Sequence, residues 1–208
     1  MRNDLTDITI VLDRSGSMTT VQQEAEHGLN HFISEQKNQP TDAIFTLVQF
    51  DTEYEFVHSG IPIQSVPHCK LEPRGWTALF DALGRAIQET GSRLGSISES
   101  DRPGLVLFVI LTDGQENSSK EYKKDQIKSM IEHQQSHYNW KFIFLGANQD
   151  SFAEADALGI QKNAAANFSN IKEAFGTTSS NIAAMRVTLH TGDNPTFAYS
   201  DIQRKRMA

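Results

Sequence analysis

The sequence is poor in cysteine: Cys69 is the single one in 208 residues. No internal disulfide or cysteine-based zinc site can form from it, which favours a reducing compartment. A basic surplus is also missing, with 26 Asp+Glu against 19 Lys+Arg and a formal net charge of -7. A duplex phosphate backbone is therefore a poor partner. The one basic cluster, Arg204-Lys205-Arg206, reads as a solvated terminus. No apolar run approaches the ~18–20 residues that span a bilayer, and Met1 to Asp7 is charged where a signal peptide needs an apolar core. The expectation is a cytoplasmic protein with no membrane or nucleic-acid partner. Its length suits a single α/β domain.

What the chain does have is three continuous apolar runs: Ile8–Leu12, Leu105–Leu111 and Phe142–Leu145. Strands buried on both faces look like this, and they belong to parallel sheets covered by helices. A fourth, Ala43 to Phe50, reads as another central strand. Tyr54 to Ile63 follows after only Asp51-Thr52-Glu53, too short for a crossover helix, so it is expected to return antiparallel on the sheet edge. Apolar residues at spacings of three and four predict helices over Val21–Ile33, Leu79–Leu94, Ile127–Ile131 and Ile171–Leu189. A shorter helix is expected over Ser151–Leu158, and a short edge strand around Asn167-Phe168. The alternation predicts an open doubly wound α/β sheet, with 1–190 as one domain and 191–208 as a C-terminal tail. Gly95 to Gly104 and Thr191 to Ala208 have the composition of disordered stretches.

Ligands of such sheets sit at the carboxyl ends of the strands, where strand order reverses. The first buried strand ends in Asp13-Arg14-Ser15-Gly16-Ser17-Met18, and the long central run ends in Thr112-Asp113-Gly114-Gln115-Glu116-Asn117. Arg74-Gly75-Trp76-Thr77 precedes the second helix. If the strands carrying Asp13 and Asp113 are neighbours, two carboxylates and the hydroxyls of Ser15, Ser17 and Thr77 meet at one edge. Such a set of hard oxygens suits Mg²⁺ or Mn²⁺. Neutral hydroxyl ligands leave the ion positive, with a position open for a carboxylate from a partner.

On Asp-x-Ser-x-Ser, the distant Thr77 and the distant Asp113, the chain resembles the von Willebrand factor A domain, the fold of the integrin inserted domain. The resemblance runs to about His190 and implies a metal-ion-dependent adhesion site at Asp13, Ser15, Ser17, Thr77 and Asp113. It further implies a six-stranded sheet of order 3-2-1-4-5-6 with strand 3 antiparallel, and an Asp or Glu of a partner protein completing the metal shell. The stretches Asp13–Met18 and Leu145–Asp150 are similar to those of small standalone bacterial and phage members. Arg14, Trp76, Gln115, Glu116 and Asn148 are expected at the rim, where a partner would touch, with Asn117 and Asp150 beside them.

Other chemistries fit less well. A Mg²⁺-dependent phosphatase of the haloacid dehalogenase type needs a second carboxylate two residues after the first, and Ser15 stands there. Neither the Gly-x-Ser-x-Gly of a hydrolase nor the Gly-x-Gly-x-x-Gly of a dinucleotide site is present. His27/His31 and His133/His137 are spaced for one helix face but lack the glutamate of a zinc peptidase. The reading is a non-enzymatic, metal-dependent binding module. Its alternative is a regulatory or scaffold subunit that binds through a helix face, with a vestigial metal site.

Overall fold

The computed structural model describes residues 1–147 and 150–208. Six strands, β1 (Arg2–Asp13), β2 (Asp42–Phe50), β3 (Tyr54–Pro62), β4 (Pro103–Thr112), β5 (Lys141–Gly146) and β6 (Ala165–Asn167), form one sheet of order β3-β2-β1-β4-β5-β6. All neighbours are parallel except β2 and β3, whose antiparallel pairing follows from the three-residue connection between them. Helices α1 (Gln22–Lys37), α2 (Leu79–Gly95), α3 (Lys124–Tyr138), α4 (Ser151–Ala157) and α5 (Ile171–His190) flank it, and α6 (Asp201–Met207) closes the chain. α1 packs on α5, and α2 packs on α3 and against β1, β2 and β3.

The core lies between sheet and helices, as the continuous apolar runs require. Ile8, Ile10, Val11 and Leu12 of β1 and Leu107 to Leu111 of β4 are fully buried. α1 approaches α5 closely because Gly28 has no side chain; a Cβ there would lie 2.6 Å from Phe175 Cδ2. Phe32 meets Phe175 edge to face at 6.3 Å. β1 extends well before Ile8, because the charge at Asp7 is matched inside the fold: Arg93 of α2 donates to both its carboxylate oxygens, at 2.7 and 3.1 Å. Burial pushes the Asp7 carboxyl up, and the Arg93 hydrogen bonds and charge pull against that.

The short edge strand expected around Asn167-Phe168 is β6, Ala165–Asn167. Three other expectations are corrected. Gly95–Gly104 holds a 3-10 turn at Glu99–Asp101 and the start of β4. The stretch from Thr191 is packed rather than disordered: Phe197, Tyr199 and Met207 are buried, and Ser169 and Asn170 N–H both donate to Met207 O. Arg204 is not a solvated terminal charge, because its guanidinium donates to the carbonyls of Lys162, Asn163 and Ala165. Disorder composition misled here because three apolar side chains, spaced along a polar stretch, suffice to dock it.

Candidate functional site

Three loops meet at the carboxyl edge of the sheet, over the adjacent strands β1 and β4. β1 ends at Asp13 and the chain turns into a 3-10 turn, Gly16–Val21. β4 ends at Thr112, placing Asp113 immediately beyond it. The third loop, 74–78, enters α2. Two backbone bonds join it to the first: Arg74 N–H donates to Arg14 O at 2.8 Å and Gly16 N–H to Gly75 O at 3.2 Å. Gly75 has φ +66°, and a Cβ there would sit 2.6 Å from Thr52 Oγ1, so this close crossing needs glycine.

The side chains of this edge form a connected set. Asp13 Oδ1 accepts from Ser15 N–H at 2.7 Å, and its Oδ2 accepts from Thr112 Oγ1 at 2.6 Å. Ser15 Oγ and Ser17 Oγ share a hydrogen bond of 3.1 Å, and Ser17 Oγ donates to Asp113 Oδ1 at 2.6 Å. A methyl placed on Gly114 would lie 3.6 Å from Thr77 Oγ1 and 3.8 Å from Ser17 Oγ, so those two hydroxyls border one small space. Thr77 is held by its backbone: its N–H donates to Asn117 Oδ1 at 3.0 Å, and its carbonyl accepts from Asn117 and Ser118 N–H. Among the described residues its hydroxyl has no hydrogen-bond partner. All five residues expected to hold a metal are therefore brought together.

Their electrostatics are unbalanced. Asp13 is fully buried, and burial pushes its carboxyl up to about 6, against the hydrogen bonds from Thr112 and Ser15; the charge of Asp113 raises it further. Asp113 is also raised by burial, opposed by Ser17. Among the described residues, no Lys, Arg or His pairs with either. Two neighbouring carboxylates, partly desolvated, thus lack a counter-charge among the described residues, while the hydroxyls of Ser17 and Thr77 border one space and Ser15 Oγ is bonded to that of Ser17. A hard divalent cation fits that donor set and that missing charge. No three His, Cys, Asp or Glu side chains converge among the described residues, so the donors here are mainly hydroxyls.

The rim residues divide. Trp76 is 68% exposed, and Gln115 is exposed as well. Arg14 is only 6% exposed: it turns inward, with Nε donating to Asp51 Oδ2 at 2.8 Å and Nη1 to Glu55 Oε2 at 2.7 Å. Glu116 is occupied by its own loop and by the start of α2, its carboxylate accepting from Ser118 N–H, Ser119 N–H, Ser119 Oγ and Phe80 N–H. Asp150 caps α4 through Ala153 N–H. Asn148 lies outside the described residues.

Sequence reasoning gave no role to Thr112, Asp81 or Asp51, and it placed Asn117 beside the rim where the structure has it holding Thr77 N–H. Asp81 accepts three backbone N–H groups, from Lys120, Glu121 and Tyr122, and so ties the loop after Asp113 to the first turn of α2. An acidic residue in a first helical turn is an ordinary feature, and nothing in its spacing signals this bond. Cys69 is buried, its thiol raised by burial and 3.6 Å from His58 Nε2. The imidazoles of His133 and His137 stack at 4.3 Å on the exposed side of α3.

Residues 7–181 match the family model of the von Willebrand factor type A domain. The chain belongs to that family, whose domains are in general adhesion or protein-interaction modules. Solved structures agree on the fold. Proximal thread matrix protein 1 from the mussel byssus, with a zinc-occupied metal-ion-dependent adhesion motif, is 16% identical with a TM-score of 0.61, over 88% of this chain and 46% of that one. Manganese-loaded TRAP protein of Plasmodium vivax is 16% identical, TM-score 0.58, over 85% and 72%. The von Willebrand factor domain of the type V pili tip protein Mfa5 from Porphyromonas gingivalis is 11% identical, TM-score 0.61, over 86% and 95%. The chain thus spans less than half of the mussel protein. A search of curated proteins found no match.

Proposed function

We propose that this protein is a non-enzymatic, metal-dependent binding module that holds Mg²⁺ or Mn²⁺ at Asp13, Ser15, Ser17, Thr77 and Asp113 and captures an Asp or Glu of a partner protein. The observation that carries this reading is the pair of buried carboxylates that meet no Lys, Arg or His among the described residues, with the hydroxyls of Ser15, Ser17 and Thr77 gathered beside them at the edge of the sheet. When bound, the cation supplies positive charge and a coordination position for the partner's carboxylate. Asp13 and Asp113 contribute the anionic charge, the hydroxyls contribute neutral oxygen, and Thr112 and Ser15 N–H fix the orientation of Asp13. Exposed Trp76, next to Thr77, offers apolar contact area to the partner. With a net charge of -7, the chain would repel an acidic partner in the absence of the cation.

Titration calorimetry tests the site: Mg²⁺ or Mn²⁺ should give heat with wild type and none with Asp13→Ala. Equal heats would refute it. Co-purification in Mg²⁺ against EDTA tests the partner contact, which must be lost on chelation. Binding that survives EDTA and the Ser15→Ala/Ser17→Ala double variant would instead favour a helix-face scaffold.

A further inference from the structure

We infer that Asp51 is the positioning residue of the cation site, acting through Thr77; the inference rests on the metal-binding reading above. Thr77 sits on a loop, not on a strand, so its hydroxyl reaches the Asp13–Ser17 cluster only if segment 74–78 is held against segment 14–16. Asp51, 3% exposed in the β2–β3 turn, holds both. Its Oδ2 accepts from Arg14 Nε and from Arg74 Nε, each at 2.8 Å, so one buried oxygen joins a guanidinium from the metal loop to one from the threonine loop. Its carbonyl accepts from Ala78 N–H at 2.8 Å, one residue past Thr77. The neighbouring Thr52 Oγ1 accepts from Trp76 N–H at 2.9 Å, one residue before it.

The turn is itself rigid. Asp51 Oδ1 accepts from Glu53 N–H at 2.9 Å, and Asp51 N–H donates to Glu53 O at 2.7 Å. Burial alone would raise the Asp51 carboxyl, but the bonds from Arg74 and Glu53 N–H and the charge of Arg14 outweigh it, and it is held below the usual carboxylate range. The carboxylate therefore stays charged at neutral pH and keeps both arginines. Arg14 makes one further ion pair, to exposed Glu55, which does not reach the 74–78 loop. Asp51 is the point at which the two loops are bridged by side chains. It touches no cation ligand directly; its carbonyl and Thr52 Oγ1 hold the residues on either side of Thr77, and the double variant with Thr77→Ala separates an effect through Thr77 from one through Arg14.

Titrating Mn²⁺ into wild type, Asp51→Asn, Thr77→Ala and the double variant tests this, with urea unfolding in EDTA giving the folded fraction of each. Asp51→Asn should weaken Mn²⁺ by roughly tenfold, the scale at which outer-shell partners act on metal sites. In the Thr77→Ala background the same substitution should cost no further affinity. A role in stability alone would lower the urea midpoint and leave the affinity of the folded fraction unchanged, which would overturn the inference. So would a further tenfold loss in the double variant. If Asp51→Asn does not fold, Arg74→Gln removes one exposed arm of the bridge and should give a loss smaller than about tenfold that likewise vanishes in the Thr77→Ala background; its absence or persistence there overturns the inference. Wild type that takes up no Mn²⁺ overturns the metal reading and the inference together, whereas an unchanged Asp51→Asn overturns the inference alone.

Discussion

Asp13 carries the sharpest consequence of the site's electrostatics. Its carboxyl, raised to about 6 by burial, lies above the ordinary 3.8 it has in the unfolded chain. In the cation-free protein the folded state therefore binds the proton more tightly. Its contribution to stability is greatest below about pH 4 and falls as pH rises through about 6. Urea unfolding in EDTA should show this as a decline between pH 4 and 6 that is absent in Asp13→Asn. On the proposed metal reading, cation and proton would compete for the same oxygens, so Mg²⁺ affinity should run the other way, weakening as pH drops below about 6, with proton release seen by calorimetry in buffers of different ionisation heat. An affinity flat from pH 7.5 to 5 would remove Asp13 from the site. The five residues gathered at this edge were legible because Asp-x-Ser-x-Ser and Thr-Asp-Gly both end buried strands and Arg-Gly-Trp-Thr leads into a helix. Asp51 and Asp81 were not, since their partners lie 23 to 41 residues away and a carboxylate in a turn or a first helical turn looks the same whether or not it is bonded.

At the scale of elements, two helical glycines should respond in opposite senses. Gly91 in α2 has no atom within 4 Å of where a Cβ would stand, so Gly91→Ala should stabilise by up to about 1 kcal/mol through helix propensity. Gly28→Ala gains the same propensity but drives its methyl to 2.6 Å from Phe175, and overpacking of about 1–3 kcal/mol outweighs it. Thermal unfolding of the pair should give a rise for the first and a fall for the second. The contact between α1 and α5 has a second clasp. Arg186 of α5 is 1% exposed, and its guanidinium donates to Gln36 O, Gln36 Oε1, Thr41 Oγ1 and Thr41 O. Burial lowers it to about 10, so it is still charged at neutral pH. Arg186→Ala strands those acceptors, at about 1–3 kcal/mol for each one left buried. Urea unfolding should register that loss while Mn²⁺ affinity of the folded protein stays unchanged. Helix positions were readable from spacing. The partner of each helix was not, because the apolar stripe says that a face is covered and leaves open by what.

For the whole molecule, the last seventeen residues belong to the packed structure. Removing residues 192–208 would expose the surfaces against Phe197, Tyr199 and Met207, each worth roughly 1.5–3 kcal/mol of apolar burial before the entropy of ordering is subtracted. The truncated chain should melt at a lower temperature than the full one, by differential scanning calorimetry; an equal melting temperature would show the segment contributes nothing. The sequence by itself determined the fold class, the antiparallel third strand and the five candidate residues, four at or just after the ends of buried strands and Thr77 ahead of a helix, because continuous apolar runs, short connections and residue chemistry act locally along the chain. That β1 lies beside β4, so that Asp13 and Asp113 meet, was implied by the family resemblance and by no local pattern, and the observed sheet order agrees with it. The tertiary structure alone turned Arg14 inward, occupied Glu116 with its own loop and the start of α2, and docked the final helix. Each of those outcomes is set by groups distant in sequence competing for the same buried hydrogen bonds, a competition that has no local signature.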